Sequence, residues 1–83
     1  MERAELLEVL RDKAVELLEV EPDQVTESAS FVDDLHADSL ALVELALVLE
    51  ESLGTELPEQ ELAAARTVGT YADVLLGALG TRP

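Results

Sequence analysis

The sequence predicts an all-α fold: a small antiparallel four-helix bundle with a long loop between helices one and two and a short third helix. Two observations carry this. Apolar residues recur at spacings of three and four, the helical period, with charged residues between them. The composition is 48% apolar but only 2% aromatic, so the core must be built mainly from Leu, Val and Ala, a mixture that favours helix over sheet. A chain of 83 residues supports one hydrophobic core, and residues 1–83 are therefore read as a single domain, with about 80–83 as a frayed tail.

Helix one runs from Arg3 to Leu18, with Leu6, Leu7, Leu10, Ala14, Leu17 and Leu18 as its apolar stripe. Pro22 and the polar cluster through Ser30 are expected to end it. The loop spans roughly Val20 to Asp38, and its apolar Phe31, Val32 and Leu35 predict that it folds back onto the core. Asp38 is a candidate N-cap for helix two, Ser39 to about Leu53, which Gly54 stops. Leu57-Pro58-Glu59 opens the third helix, with Pro58 suited to a first helical position and Glu59 and Glu61 to a first turn; it ends near Arg66. Thr67 or Thr70 caps a last helix through Leu79, with an inward stripe of Tyr71, Val74, Leu75, Ala78 and Leu79 that Gly69 and Gly77 weaken.

Charge and cysteine content exclude several functions. The formal net charge is −14, and the residues from Ala14 to Ala65 hold fourteen acids and no Lys or Arg. A nucleic-acid binder needs the opposite sign. With no cysteine, disulfide scaffolds, Cys-based zinc sites and a thiol nucleophile are removed, so any thiol chemistry must use a borrowed thiol. No apolar run of signal-peptide length opens the chain. The longest apolar region, Leu40 to Leu49, contains Glu44 and is about half a membrane span. The expected setting is the cytoplasm, away from membranes.

Helix two is apolar on more than one side. Leu42, Leu45, Ala46, Leu49 and Leu53 form a stripe sufficient for a small bundle, while Leu40, Val43 and Leu47 form another, flanked by Glu44, Glu50 and Glu51. Two readings stand: core residues under the long loop, or a partner-docking face on which charge steers the encounter and apolar contact gives affinity.

The run Phe31-Val32-Asp33-Asp34-Leu35-His36-Ala37-Asp38-Ser39-Leu40 resembles the modification-site region of acyl carrier proteins, and the resemblance extends over nearly the whole chain. It implies that Ser39 receives 4′-phosphopantetheine from coenzyme A, with Leu40 beside it and Asp38 helping a phosphopantetheinyl transferase hold Mg²⁺ or orient the site. The chain would then be a monomeric carrier of acyl thioesters in fatty-acid or polyketide-type biosynthesis, and not an enzyme. The resemblance further implies that Glu44, Glu50 and Glu51 meet basic patches on acyltransferases, ketosynthases and similar enzymes, with Leu40, Val43 and Leu47 as the apolar contacts beside them. It places an acyl pocket among Leu45, Ala46, Leu49, Leu62 and Leu75. A carrier of aminoacyl or other specialised groups, and an acidic helical interaction module without a prosthetic group, are the alternatives.

Other readings of the same residues are weaker. His36 with Ser39 lacks the glycine-framed turn and oxyanion hole of a hydrolase, and Asp33, Asp34 and Asp38 lack the spacing of a calcium loop. The chain also departs from the family pattern at three places. His36 replaces a common glycine, Ala41 replaces a frequent acid, and Leu62-Ala63-Ala64-Ala65-Arg66 is less acidic than usual.

Overall fold

The computed structural model describes residues 2–80. Its elements are α1 (Arg3–Leu18), a turn of 3₁₀ helix (Pro22–Gln24), α2 (Ser39–Leu53), α3 (Glu59–Ala64) and α4 (Val68–Ala78). Helix α1 packs on α2 and α4, and α3 packs on both of those. Apart from Gly80, the tail expected at 80–83 lies outside the described residues. None of the described helices is long and apolar enough to cross a membrane.

Helix α1 buries Leu6, Leu10 and Ala14. It stops before Pro22 is reached: Glu19 takes a left-handed conformation, φ +56°, and its N–H bonds the Val15 carbonyl at 3.0 Å. Pro22 instead opens the 3₁₀ turn, where Glu21 and Gln24 cap each other. Helix α2 buries Leu42, Leu45, Ala46 and Leu49 and ends at Gly54, φ +68°, whose N–H donates to the Glu50 carbonyl at 2.8 Å. Glycine enters this left-handed position without the Cβ clash of other residues.

Pro58 stands just outside α3 as its N-cap, and the helix ends at Ala64, short of the expected Arg66. Residues 66–69 are engaged elsewhere. The Phe31 N–H donates to the Arg66 carbonyl at 3.0 Å, the Val68 N–H to Ala29 at 3.1 Å and the Gly69 N–H to Glu27 at 2.9 Å. This antiparallel exchange, centred on a bridge between Ser30 and Thr67, holds the long loop against the start of α4. Thr67, not Thr70, is the cap, its Oγ1 accepting the Thr70 N–H at 3.2 Å.

The inward side of α4 is Val68, Tyr71, Ala72 and Leu75. Of the rest of the expected stripe, Val74 and Leu79 are half-buried and pack against the core, Leu79 as the cap beyond the helix, whereas Ala78 is exposed. Phe31 and Leu35 of the loop are buried as expected, but Val32 points outward and is 57% exposed. The rings of Phe31 and Tyr71 meet edge to face with centroids 5.2 Å apart. The Tyr71 hydroxyl donates to the Leu42 carbonyl at 3.1 Å, and burial pushes its pKa well above the usual phenol value. At the surface, Arg3 ties α1 to Glu27 of the loop and Asp73 of α4, a solvent-exposed arrangement that orients more than it stabilises.

The glycines of α4 differ in their surroundings. A Cβ on Gly69 would lie 3.0 Å from the Glu27 carbonyl oxygen, whereas one on Gly77 would meet nothing within 4 Å. The loop backbone opposite Gly69 is fixed by its hydrogen bonds and has little freedom to yield. Thermal or denaturant unfolding should therefore find Gly69→Ala destabilised by about 1 kcal/mol or more and Gly77→Ala stabilised by about 0.5–1 kcal/mol. Equal effects from the two changes would contradict this account.

Candidate functional site

The N-terminus of α2 is built by Asp38. Its Oδ1 accepts the Ala41 N–H at 2.8 Å and its carbonyl accepts the Leu42 N–H at 3.1 Å. Ser39 follows as the first helical residue, exposed at the positive end of the helix dipole. An anionic group on its hydroxyl would lie near the open amide end of the helix, an environment favourable to negative charge.

The approach to Ser39 is a hydrogen-bonded turn. The Asp34 and Leu35 N–H groups donate to the Ser30 carbonyl at 2.9 and 3.1 Å. The Asp34 carboxylate accepts the Ser30 N–H at 2.7 Å, the Ser30 hydroxyl accepts the Asp33 N–H at 3.1 Å, and Ala37 N–H reaches the Phe31 carbonyl at 2.7 Å. To turn from the buried Leu35 to the buried Ala37, the exposed His36 takes φ +57°. That is the left-handed region in which a glycine would fit without strain. Among the described residues no hydrogen bond joins His36 to Ser39.

Beside Ser39 lies an open cleft of about 380 Å³, walled by Ser39 and Leu42 of α2, Val32 and Asp33 of the loop, and the chain from Ala63 to Arg66. Val32, Ala63, Ala64 and Arg66 did not emerge from the sequence as site residues. The one available signal was that Arg66 is the first cation after Lys13. The five residues assigned by resemblance to an acyl pocket, Leu45, Ala46, Leu49, Leu62 and Leu75, are all fully buried in the closed core, and none of them lines this cleft.

Along the outer side of α2, Leu40 is 65% and Leu47 49% exposed. That exposure removes the reading of these two leucines as core under the loop. Val43 is half-buried, and Glu44 and Glu51 are exposed. Glu50 differs: it is half-buried, and its Oε2 accepts the Leu57 N–H at 2.8 Å, bracing the connection from α2 to α3. The Glu59 carboxyl is held above its ordinary value, first by desolvation and then by the charge of and a hydrogen bond with Glu50, and by Glu56. Among the described residues no cluster of His, Asp or Glu is arranged to hold a metal ion.

The chain matches a family model described as a phosphopantetheine attachment site over residues 8–75. It is 40% identical over 75 residues to an acyl carrier protein of Thermosynechococcus vestitus, covering 90% of this chain and 93% of that one. Among solved structures it is similar to an acyl carrier protein from Enterococcus faecalis studied for its high thermal stability. That match has a TM-score of 0.72 and 33% identity, and it covers 94% of this chain and 99% of the other.

The left-handed geometry at residue 36 has a measurable cost. His36→Gly should raise stability by up to about 1 kcal/mol, whereas His36→Val, with its branched Cβ, should lose about 1–2 kcal/mol. Denaturant midpoints compare the two, and a valine variant as stable as the glycine variant would refute the assignment.

Proposed function

The chain belongs to the acyl carrier protein family, and from that premise we propose that Ser39 bears its 4′-phosphopantetheine. Members of this family are carriers, not enzymes, and are served by a phosphopantetheinyl transferase and by acyl-processing enzymes. The group supplies the thiol on which acyl chains ride as thioesters, a function that a chain without cysteine has no residue to perform.

The observation that carries the assignment is the position of Ser39: exposed, first in α2, and on the wall of an open cleft. A hydroxyl there is accessible to a transferase, and the phosphodiester it would acquire sits at a helix N-terminus. Asp38 serves recognition of the site while its Oδ1 holds the first turn. Leu40 is the apolar neighbour that a docking enzyme meets first. Leu45, Ala46, Leu49, Leu62 and Leu75 are the aliphatic surface that an acyl chain would reach if α2 and α3 part.

Partner enzymes are read as docking on Leu40, Val43 and Leu47 through apolar contact and on Glu44 and Glu51 through basic patches. Glu50 adds charge at the rim while bracing Leu57. The acyl chemistry is of the fatty-acid or polyketide type.

Incubation of the apo chain with coenzyme A, Mg²⁺ and a broad-range transferase should add one phosphopantetheine by intact mass, and none in Ser39→Ala. An undiminished gain in that variant would move the attachment elsewhere. Reversing Glu44 and Glu51 to Lys should leave the circular dichroism spectrum intact while lowering kcat/KM with a basic partner enzyme about tenfold at low salt, an effect that added salt reduces. Unchanged kinetics at low salt would exclude docking through these acids.

A further inference from the structure

Three of the basic side chains are already engaged. Arg3 bonds Glu27 and Asp73, the Arg11 Nε donates to the Val25 carbonyl at 3.3 Å, and Lys13 lies 3.8 Å from Glu16. Arg66 is different. It is exposed, and among the described residues its guanidinium has neither an ion pair nor a hydrogen bond. It follows a long acid-rich stretch without a cation, and it lines the same cleft as Ser39.

We propose that Arg66 is the binding group for the phosphodiester of the arm, which lies in the cleft between the loop and the end of α3. The proposal rests on the assignment of the arm to Ser39 and adds where the arm goes. A phosphodiester bonded to the Ser39 Oγ necessarily begins at the cleft wall. It carries one negative charge on two non-bridging oxygens, an arrangement that a guanidinium fork matches and a point-charge ammonium matches less well.

The backbone of Arg66 is held for this role. Its carbonyl accepts the Phe31 N–H at 3.0 Å, and the next residue, Thr67, caps α4, so the side chain starts from a fixed place opposite α2. The small Ala63 and Ala64 on the same wall leave room for the arm beyond the phosphate. Asp33 is the acid that shares the cleft. It forms no ion pair with Arg66 among the described residues, which leaves the guanidinium available to an incoming anion.

The test compares ¹H–¹⁵N and ³¹P spectra of the full chain before and after loading, with intact mass confirming the arm, in wild type, Arg66→Gln and Arg66→Lys. Loading should shift the amides of residues 63–66 as well as those of residues 39–41. Arg66→Gln should abolish most of the shift at residues 63–65, keep that at 39–41 and move the ³¹P resonance; Arg66→Lys should retain part of the effect. A wild-type chain that gains the arm without shifts at 63–66, or an Arg66→Gln chain that keeps those at 63–65, overturns the contact and leaves the Ser39 assignment standing. A chain that gains the arm on another residue, or gains none, overturns both. If Arg66→Gln is not loaded, the wild-type shifts and the Arg66→Lys spectrum decide.

Discussion

A long connection can bury its apolar side chains only if the backbone beneath them finds hydrogen-bond partners. In this chain the partners come from residues 66–69. Phe31, Ala29 and Glu27 exchange hydrogen bonds with Arg66, Val68 and Gly69, and most of the geometry of the site follows from that pairing. It lets Phe31 enter the core, it draws residues 65–67 out of helical conformation so that α3 stops at Ala64, and it brings the end of α3 across from the start of α2. The cleft beside Ser39 is the space between these two sides. Gly69 lies in this pairing, where a Cβ would stand 3.0 Å from the Glu27 carbonyl oxygen.

The chain's single Phe and single Tyr are both placed behind the site. Phe31 comes from the loop, Tyr71 from α4, and they meet edge to face, a contact of about 0.5–1.5 kcal/mol beyond the area it buries. The Tyr71 hydroxyl reaches the Leu42 carbonyl, on the first turn of α2 just beyond Ser39. Loop, α4 and α2 are thus joined through Phe31, Tyr71 and Leu42, the last on the same turn of α2 as the exposed serine. No buried side-chain nitrogen or oxygen among the described residues lacks a partner. The cleft beside Ser39 is open, and the core behind it is apolar.

What was legible in the sequence was local. The spans of α1 and α2 follow from apolar period, and both ends of α2 and the start of α4 from their caps, since Asp38, Gly54 and Thr67 each act within a few residues of their own position. What was not legible depends on contacts between distant parts of the chain. Nothing in the period of residues 31–35 says that, of the apolar Phe31, Val32 and Leu35, it is Val32 that turns outward; the pairing of Phe31 with Arg66 is a contact with a distant part of the chain. Nor does the acid-rich pattern of α2 separate Glu50, which braces Leu57, from Glu51, which remains exposed. The position of Arg66 on the Ser39 cleft is of the same kind. His36 stands between these cases: the resemblance marked its position as a glycine, and the backbone there is left-handed, but why histidine occupies it has no explanation in the structure.

The net charge of −14 acquires meaning from its distribution along α2. At the N-terminus the helix dipole is positive, and Asp38 is occupied in capping, its carboxylate with Ala41 and its carbonyl with Leu42. A further negative charge is favoured at this end, beside the cleft that Arg66 also lines. At the C-terminus the dipole is negative, yet Glu50 and Glu51 occupy the last turns and no basic residue offsets them there. Acids in that location raise the energy of the isolated helix. Desolvation first, and then repulsion from Glu50 and Glu56, hold the nearby Glu59 carboxyl above its ordinary value. A cationic partner would relieve that repulsion on contact, so like charges that disfavour the free fold also favour association with a basic surface. Under the proposed function the helix is polarised in role as well as in dipole, with the anion of the arm at one end and acids for a cationic partner toward the other.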